Sequence, residues 1–240
     1  MKKIKLIISC ALVLVVALSV FCFLNKEDYS YYLVMGDYVS KSQIVNEKKI
    51  DSFSSLVGEF LLNENKVSEV NAGYLKNNMT SKKMLEMIEN ETYKKDSKDL
   101  ETLIKKSKYI SITLGMNDII NNIKYDSNNK KIIYDKEIIN NKIEIFKHNY
   151  YKIVEEIKDI NKDATILLVG SYKVYGDDEL NILLNEAIKS VAIESNAYYV
   201  DISDINDRHV YQENELYLTS FGHEKICQKV ISLLKEIEKV

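Results

Sequence analysis

Short apolar runs of strand length alternate with stretches of helical periodicity from residue 31 to the end of the chain, and that alternation leaves few folds open. Strands are read at Tyr31–Met35, Val67–Asn71, Tyr109–Leu114, Thr165–Val169 and Tyr198–Ile202. Helices are read over Asp51–Leu62, Ser81–Glu91, Lys98–Lys106, Lys136–Ile160, Asp178–Glu194 and Ser220–Lys239, with Asn121–Lys131 as a polar interruption. Nearly continuous apolar strands separated by helices belong to a parallel sheet buried on both faces, because every parallel crossover needs a helix and every apolar face needs a cover. Right-handed crossovers then give a five-stranded doubly wound α/β domain. No internal repeat and no second composition regime appears, so residues 28–240 are expected to be one domain.

Ahead of that domain lies a different kind of segment. Residues 6–24, LIISCALVLVVALSVFCFL, carry no charge and follow Lys2, Lys3 and Lys5. A helix of about 20 apolar residues crosses a bilayer. Lysines before the span and Glu27 and Asp28 after it predict a single-pass anchor over residues 1–27, with the N-terminus cytoplasmic and the domain extracytoplasmic at the cell membrane. A cleaved signal peptide is the rival. Its apolar stretch normally runs to about 15 residues at most and ends in small residues, which Val20–Leu24 do not supply. Cys10 and Cys22 fall inside the span, leaving Cys227 alone in the domain, so no intradomain disulfide is expected.

Charge narrows the partners. Lysine and arginine number 33 against 36 acidic residues, with a net charge of -3 and no polybasic run, so nucleic acid is not expected as a partner. Arg208 is the single arginine, which excludes a clamp of several guanidinium forks. His148, His209, His223 and Cys227 offer no spacing suited to zinc, and no G-x-G-x-x-G or phosphate-loop lysine follows the first strand. Neither metal nor cofactor is therefore expected.

Ligands of doubly wound sheets bind beyond the carboxyl ends of the strands. The distinctive small and polar clusters all fall there: Gly36-Asp37-Tyr38, Asn71-Ala72-Gly73, Gly115-Met116-Asn117-Asp118, and the loop from Ser203 to Leu218. Singly each could be a turn. In order, Met35-Gly36-Asp37-x-x-Ser40, Asn71-x-Gly73, Leu114-Gly115-x-Asn117-Asp118 and Leu216-x-Leu218-Thr219-x-x-Gly222-His223 resemble the SGNH/GDSL hydrolases over nearly all of the chain after Asp28. The resemblance implies a flavodoxin-like three-layer fold and an esterase, lipase or acylhydrolase ancestry. It also implies a nucleophilic serine after Gly-Asp, an oxyanion hole from a glycine and an asparagine, and an Asp-x-x-His pair before the last helix.

Carried over by position, the oxyanion elements are Gly73 and Asn117, while the triad is gone. Tyr38 stands at the serine position, Asn214 at the aspartate and Tyr217 at the histidine. A phenol with a pKa of about 10 and no imidazole beside it is a poor nucleophile, and a carboxamide cannot orient a base as an anion. Ser40, in a first helical turn, reads as a cap before it reads as a catalyst. His223 reads as a packing or solvated residue, and His148 as structural or solvated. His209 is the candidate for a replacement base or ligand contact, with Asp37 and Asp118 completing the cleft residues.

Two functions follow from different classes. One is a pseudoenzyme that binds a cell-wall glycan, a peptide or an envelope protein, with Tyr38 and Tyr217 on the cleft floor, either stacking on a ligand or packing on each other to close the cleft. The other is an active ester or acetyl hydrolase on envelope polymers, working through an unorthodox arrangement around His209 or Ser40.

Overall fold

The computed structural model describes residues 30–239 apart from 46–47, 91–93, 96–97, 127, 129–130, 174–177, 206–209 and 212–213. The stretch read as a membrane anchor lies outside the described residues, among which no helix is long and apolar enough to cross a membrane.

Five parallel strands form the central sheet: β1 (Tyr31–Gly36), β2 (Glu69–Leu75), β3 (Ser107–Thr113), β4 (Thr165–Val169) and β5 (Tyr198–Val200). Their order is β5-β4-β3-β1-β2, the flavodoxin-like arrangement, with its switch point between β1 and β3. Every residue of β1 is buried, as expected of a central strand covered on both faces. Its tyrosines bury their rings without stranding their polar tips; the Tyr32 hydroxyl, for one, lies 2.8 Å from Ser111 Oγ of β3.

The helices are α1 (Phe53–Asn63), α2 (Ser81–Glu89), α3 (Leu100–Lys106), the single turn α4 (Met116–Ile119), α5 (Lys136–Ile160), α6 (Asp178–Glu194) and α7 (Ser220–Ile237). α1 packs against α7, whereas α2 and α6 flank α5. Right-handed crossovers put α1 on the face opposite α2, α3, α5 and α6, because the chain reverses direction across the sheet after β2. The longest helix shows how sequence sets position. Asp135 accepts the N–H groups of Glu137 and Ile138 at 2.9 and 3.1 Å, and Ile139, Ile143, Phe146, Tyr150, Ile153 and Ile157 form its buried stripe.

At the other end of α5, Asn161 turns its side-chain amide to the carbonyls of Ile104 and Ser107, at 2.8 and 2.9 Å. α3 ends at Lys106 and β3 begins at Ser107, so this amide serves carbonyls the helix leaves open.

Three expectations change. The second strand runs through Leu75 and does not stop at Asn71, because Asn71-Ala72-Gly73 forms a bulge within it: the register against β1 slips between Leu33 and Met35. A hairpin, Ile123–Asp126 with Lys131–Tyr134, begins inside the polar interruption and runs past its end. The helix read from Lys98 starts at Leu100, where the Asp99 carboxylate caps the Thr102 N–H.

Candidate active site

The switch point is built on one residue that must lack a side chain. Gly36 ends β1 at φ +127°, and a Cβ there would sit 2.1 Å from the Thr113 carbonyl oxygen. That close approach lets the Asp37 N–H donate to Thr113 O at 3.1 Å, so the chain leaves β1 pinned to β3. Asp37 then caps the short 3-10 turn Tyr38–Ser40, its Oδ1 accepting the Val39 N–H at 3.1 Å. Its carboxyl is buried, and desolvation pushes its pKa up to about 7 against the hydrogen bonds from Val39 and Thr113 that favour the anion.

Tyr38 presents its ring to Tyr217, which comes from the strand Asn214–Leu218 before α7. Their centroids are 6.1 Å apart with the planes at 83°, an edge-to-face pair. Tyr172, from the loop after β4, lies beside both, and burial first, then Tyr38, pushes its phenol well above the ordinary tyrosine range. In front of the pair is a cavity of about 240 Å³, rimmed by Lys41, Ile44 and Asn77. That is smaller than the roughly 300 Å³ at which small-molecule pockets begin.

The opposite wall is held by carboxylate and amide bonds. Gly115 introduces α4 at φ +122°. Asp118 of that turn accepts the Ser81 N–H on both oxygens at 3.1 Å and the Ser81 hydroxyl at 2.6 Å, tying α4 to the first residue of α2. Burial raises its pKa while those bonds pull it back. Asn117 donates from Nδ2 to the Asn77 carbonyl at 3.2 Å. Asp118 is thus a fastening within the wall, and Asn117 braces the loop that rims the cavity.

The sequence model of the GDSL-like lipase/acylhydrolase family matches residues 36–229. The chain belongs to that family. Solved GDSL-type and related folds resemble it over most of its length. The lipase Lip_vut3 from a goat rumen metagenome has a TM-score of 0.68 at 17% identity, covering 85% of this chain and 96% of its own. The psychrotrophic esterase EstA from Pseudoalteromonas sp. has 0.59 at 14%, covering 88% and 100%. A catalytic mutant of the acetylxylan esterase Axe2 from Geobacillus stearothermophilus has 0.59 at 15%, covering 85% and 93%. No curated protein matches the chain.

Within this GDSL framework the structure sorts the residues named from sequence. Tyr38 and Tyr217 meet edge to face. Asn214 opens the strand that delivers Tyr217, while His209 lies outside the described residues. Gly73 is not in a turn at the cleft: it sits in the β2 bulge with its N–H donated to Asn71 Oδ1 at 3.0 Å. The loop leaving β2 at the cleft is Lys76–Thr80, and Asn77 is its contribution to the cavity.

Ser40 is fully buried, its Oγ 2.9 Å from Thr113 Oγ1 and its carbonyl accepting the Ser54 hydroxyl at 2.6 Å, so it is a strut beneath the cleft. His223 is equally buried. Its Nδ1 accepts the Phe53 N–H at 3.2 Å, joining α7 to the start of α1, and desolvation lowers its pKa to about 4. It is a buried packing histidine that fastens α7 to α1. His148 is exposed on α5. Among the described residues no group of histidine, cysteine and carboxylate side chains could hold a metal.

Tyr172, Lys41 and Asn77 were not read from sequence. Each lies just past the carboxyl end of a sheet strand or the turn after it, which was the available signal.

Proposed function

We propose that this GDSL-family protein is a membrane-anchored, extracytoplasmic pseudoenzyme that uses its cleft to bind a cell-envelope glycan, peptide or protein without cleaving it. One observation carries the reading: the edge-to-face contact of Tyr38 with Tyr217 occupies the positions where the family's chemistry needs a hydroxyl and an imidazole in hydrogen-bond reach. The obvious substitutes do not repair it, since Ser40 and His223 are both buried away from the cavity with other partners. Losing nucleophile and base together removes a unit that acts as one, and costs about a millionfold in turnover where it has been dissected in a serine protease. The cavity that remains combines aromatic surface with an ammonium and an amide, a set suited to a sugar ring bearing polar substituents or to a peptide backbone.

The test is the full chain with a short-chain chromogenic ester and a serine-directed phosphonate. No turnover and no covalent adduct are expected. The triple variant Tyr38→Ser, Asn214→Asp, Tyr217→His should gain weak esterase activity and phosphonate labelling, because the walls of the site are already in place. Robust hydrolysis by the unaltered chain, abolished by His209→Ala, would establish instead the ester or acetyl hydrolase reading.

A further inference from the structure

The edge of the sheet opposite the cleft carries a second concavity. It is an open groove of about 830 Å³ that runs across the amino ends of the strands, next to Ser30 and the start of β1. Its lining includes Lys66, Lys105, Lys106 and Lys108 against the single carboxylate of Asp163. Acidic neighbours hold part of that charge in place: Glu238 pairs with Lys66 at 2.8 Å, and Glu101 pairs with Lys105. The Lys106 and Lys108 ammonium groups lie 5.9 and 5.1 Å from the centroids of Tyr31 and Tyr109. A basic groove is unexpected on a chain with a net charge of -3, whose acidity deepens once Lys2, Lys3 and Lys5 are set aside with the apolar span. Placement gives it a meaning.

We propose that this lysine-lined groove rests on the anionic phosphate headgroups of the bilayer crossed by residues 6–24, and so turns the tyrosine cleft away from the membrane. The inference rests on the anchor reading and extends it to the orientation of the domain. Residues 25–29 are the whole link between the apolar span and Ser30, and even fully extended five residues reach no more than about 18 Å. The groove is therefore confined near the headgroups, where a basic surface is drawn to an anionic leaflet within a screening length of about 8–10 Å. β1 runs from Tyr31 beside the groove to Gly36 under the cleft, a rise of about 16 Å over its five steps. The cleft then opens toward material outside the membrane, which favours a wall polymer or envelope protein over a lipid as its ligand.

The experiment uses the full chain in nanodiscs of phosphatidylcholine with or without phosphatidylglycerol. A water-soluble amine-acylating reagent is applied and each lysine is read by mass spectrometry. Phosphatidylglycerol should slow acylation of Lys66, Lys106 and Lys108 several-fold, high salt should restore it, and Lys41 at the cleft should react equally in both lipids. Charge reversal at Lys106 and Lys108 to glutamate, with the melting transition as a control for folding, should remove the lipid dependence at Lys66. Equal rates for the groove lysines in both lipids, or protection of Lys41 in their place, overturn the proposal while leaving the anchor intact. A chain stripped from the bilayer by alkaline carbonate overturns the anchor and this proposal together.

Discussion

The fastenings around the cleft and the side chains that face its cavity are held by different things. Gly36, Asp37, Gly115 and Asp118 stand as the family pattern has them, and each has a mechanical duty: a close approach to Thr113, a cap on the turn Tyr38–Ser40, the lead into α4, and a clamp on α2. At the cavity-facing positions Tyr38 and Tyr217 hold each other's rings, edge to face. A motif that doubles as a fastening is held in place by the stability its removal would cost. A nucleophile or base has no such hold. Gly-Asp and Asn-Asp at a sheet edge therefore identify the scaffold, and only the side chains that face the cavity identify the activity.

The comparison can be broken most forcefully at Gly36. Gly36→Ala places a Cβ against backbone at an unfavourable φ, and a loss of more than about 4 kcal/mol is expected, seen as failure to accumulate folded protein. A near-neutral result would show that the fastening is not as described.

His223 gives the next largest effect. Its folded pKa, about 4, lies below its ordinary 6.5, so the stability of keeping it neutral is present above pH 6.5 and lost as pH falls toward 4. Relative to His223→Gln, the wild-type chain should lose about 1.4 kcal/mol per pH unit through that window in urea unfolding. Asp37 acts in the opposite sense. Its pKa, raised from 3.8 to about 7, makes its contribution greatest at low pH and lost as pH rises to 7, so Asp37→Asn should steepen the acid loss.

Asp118→Ala leaves the Ser81 N–H and hydroxyl without their acceptor and should cost about 2 kcal/mol, with α2 the first segment to lose amide-exchange protection. Smallest of all is Tyr217→Ala, which removes the edge-to-face pair at a cost on the order of 1 kcal/mol and opens the cavity. If Tyr217→Ala proves costlier than Asp118→Ala, the aromatic pair is itself structural, and the distinction between fastenings and cavity-facing side chains fails.

Much of the architecture was legible because burial writes itself into local pattern. β1, β4 and α5 carry unbroken or periodic apolar residues, and their limits agree with the sequence reading to within a residue. β2 was cut short because a glycine in a polar triplet signals a turn, whereas here Asn71 bonds Gly73 and the strand continues through a bulge. The site residues divide in the same way. Tyr38 and Tyr217 were placed by their spacing from family landmarks. The duties of Ser40 and His223 depend on Thr113 and Phe53, 73 and 170 residues away, and no local pattern records such distances.

The seam between α3 and β3 has a temporal consequence. A strand in the middle of the sheet begins with no connecting loop, and the amide that caps this junction belongs to Asn161, more than fifty positions downstream. On a ribosome the first hundred or so residues emerge before that cap exists, so the nascent amino-terminal half stays unfinished until the end of α5 has been made. Premature termination anywhere before Asn161 should leave an incomplete sheet for quality control to clear.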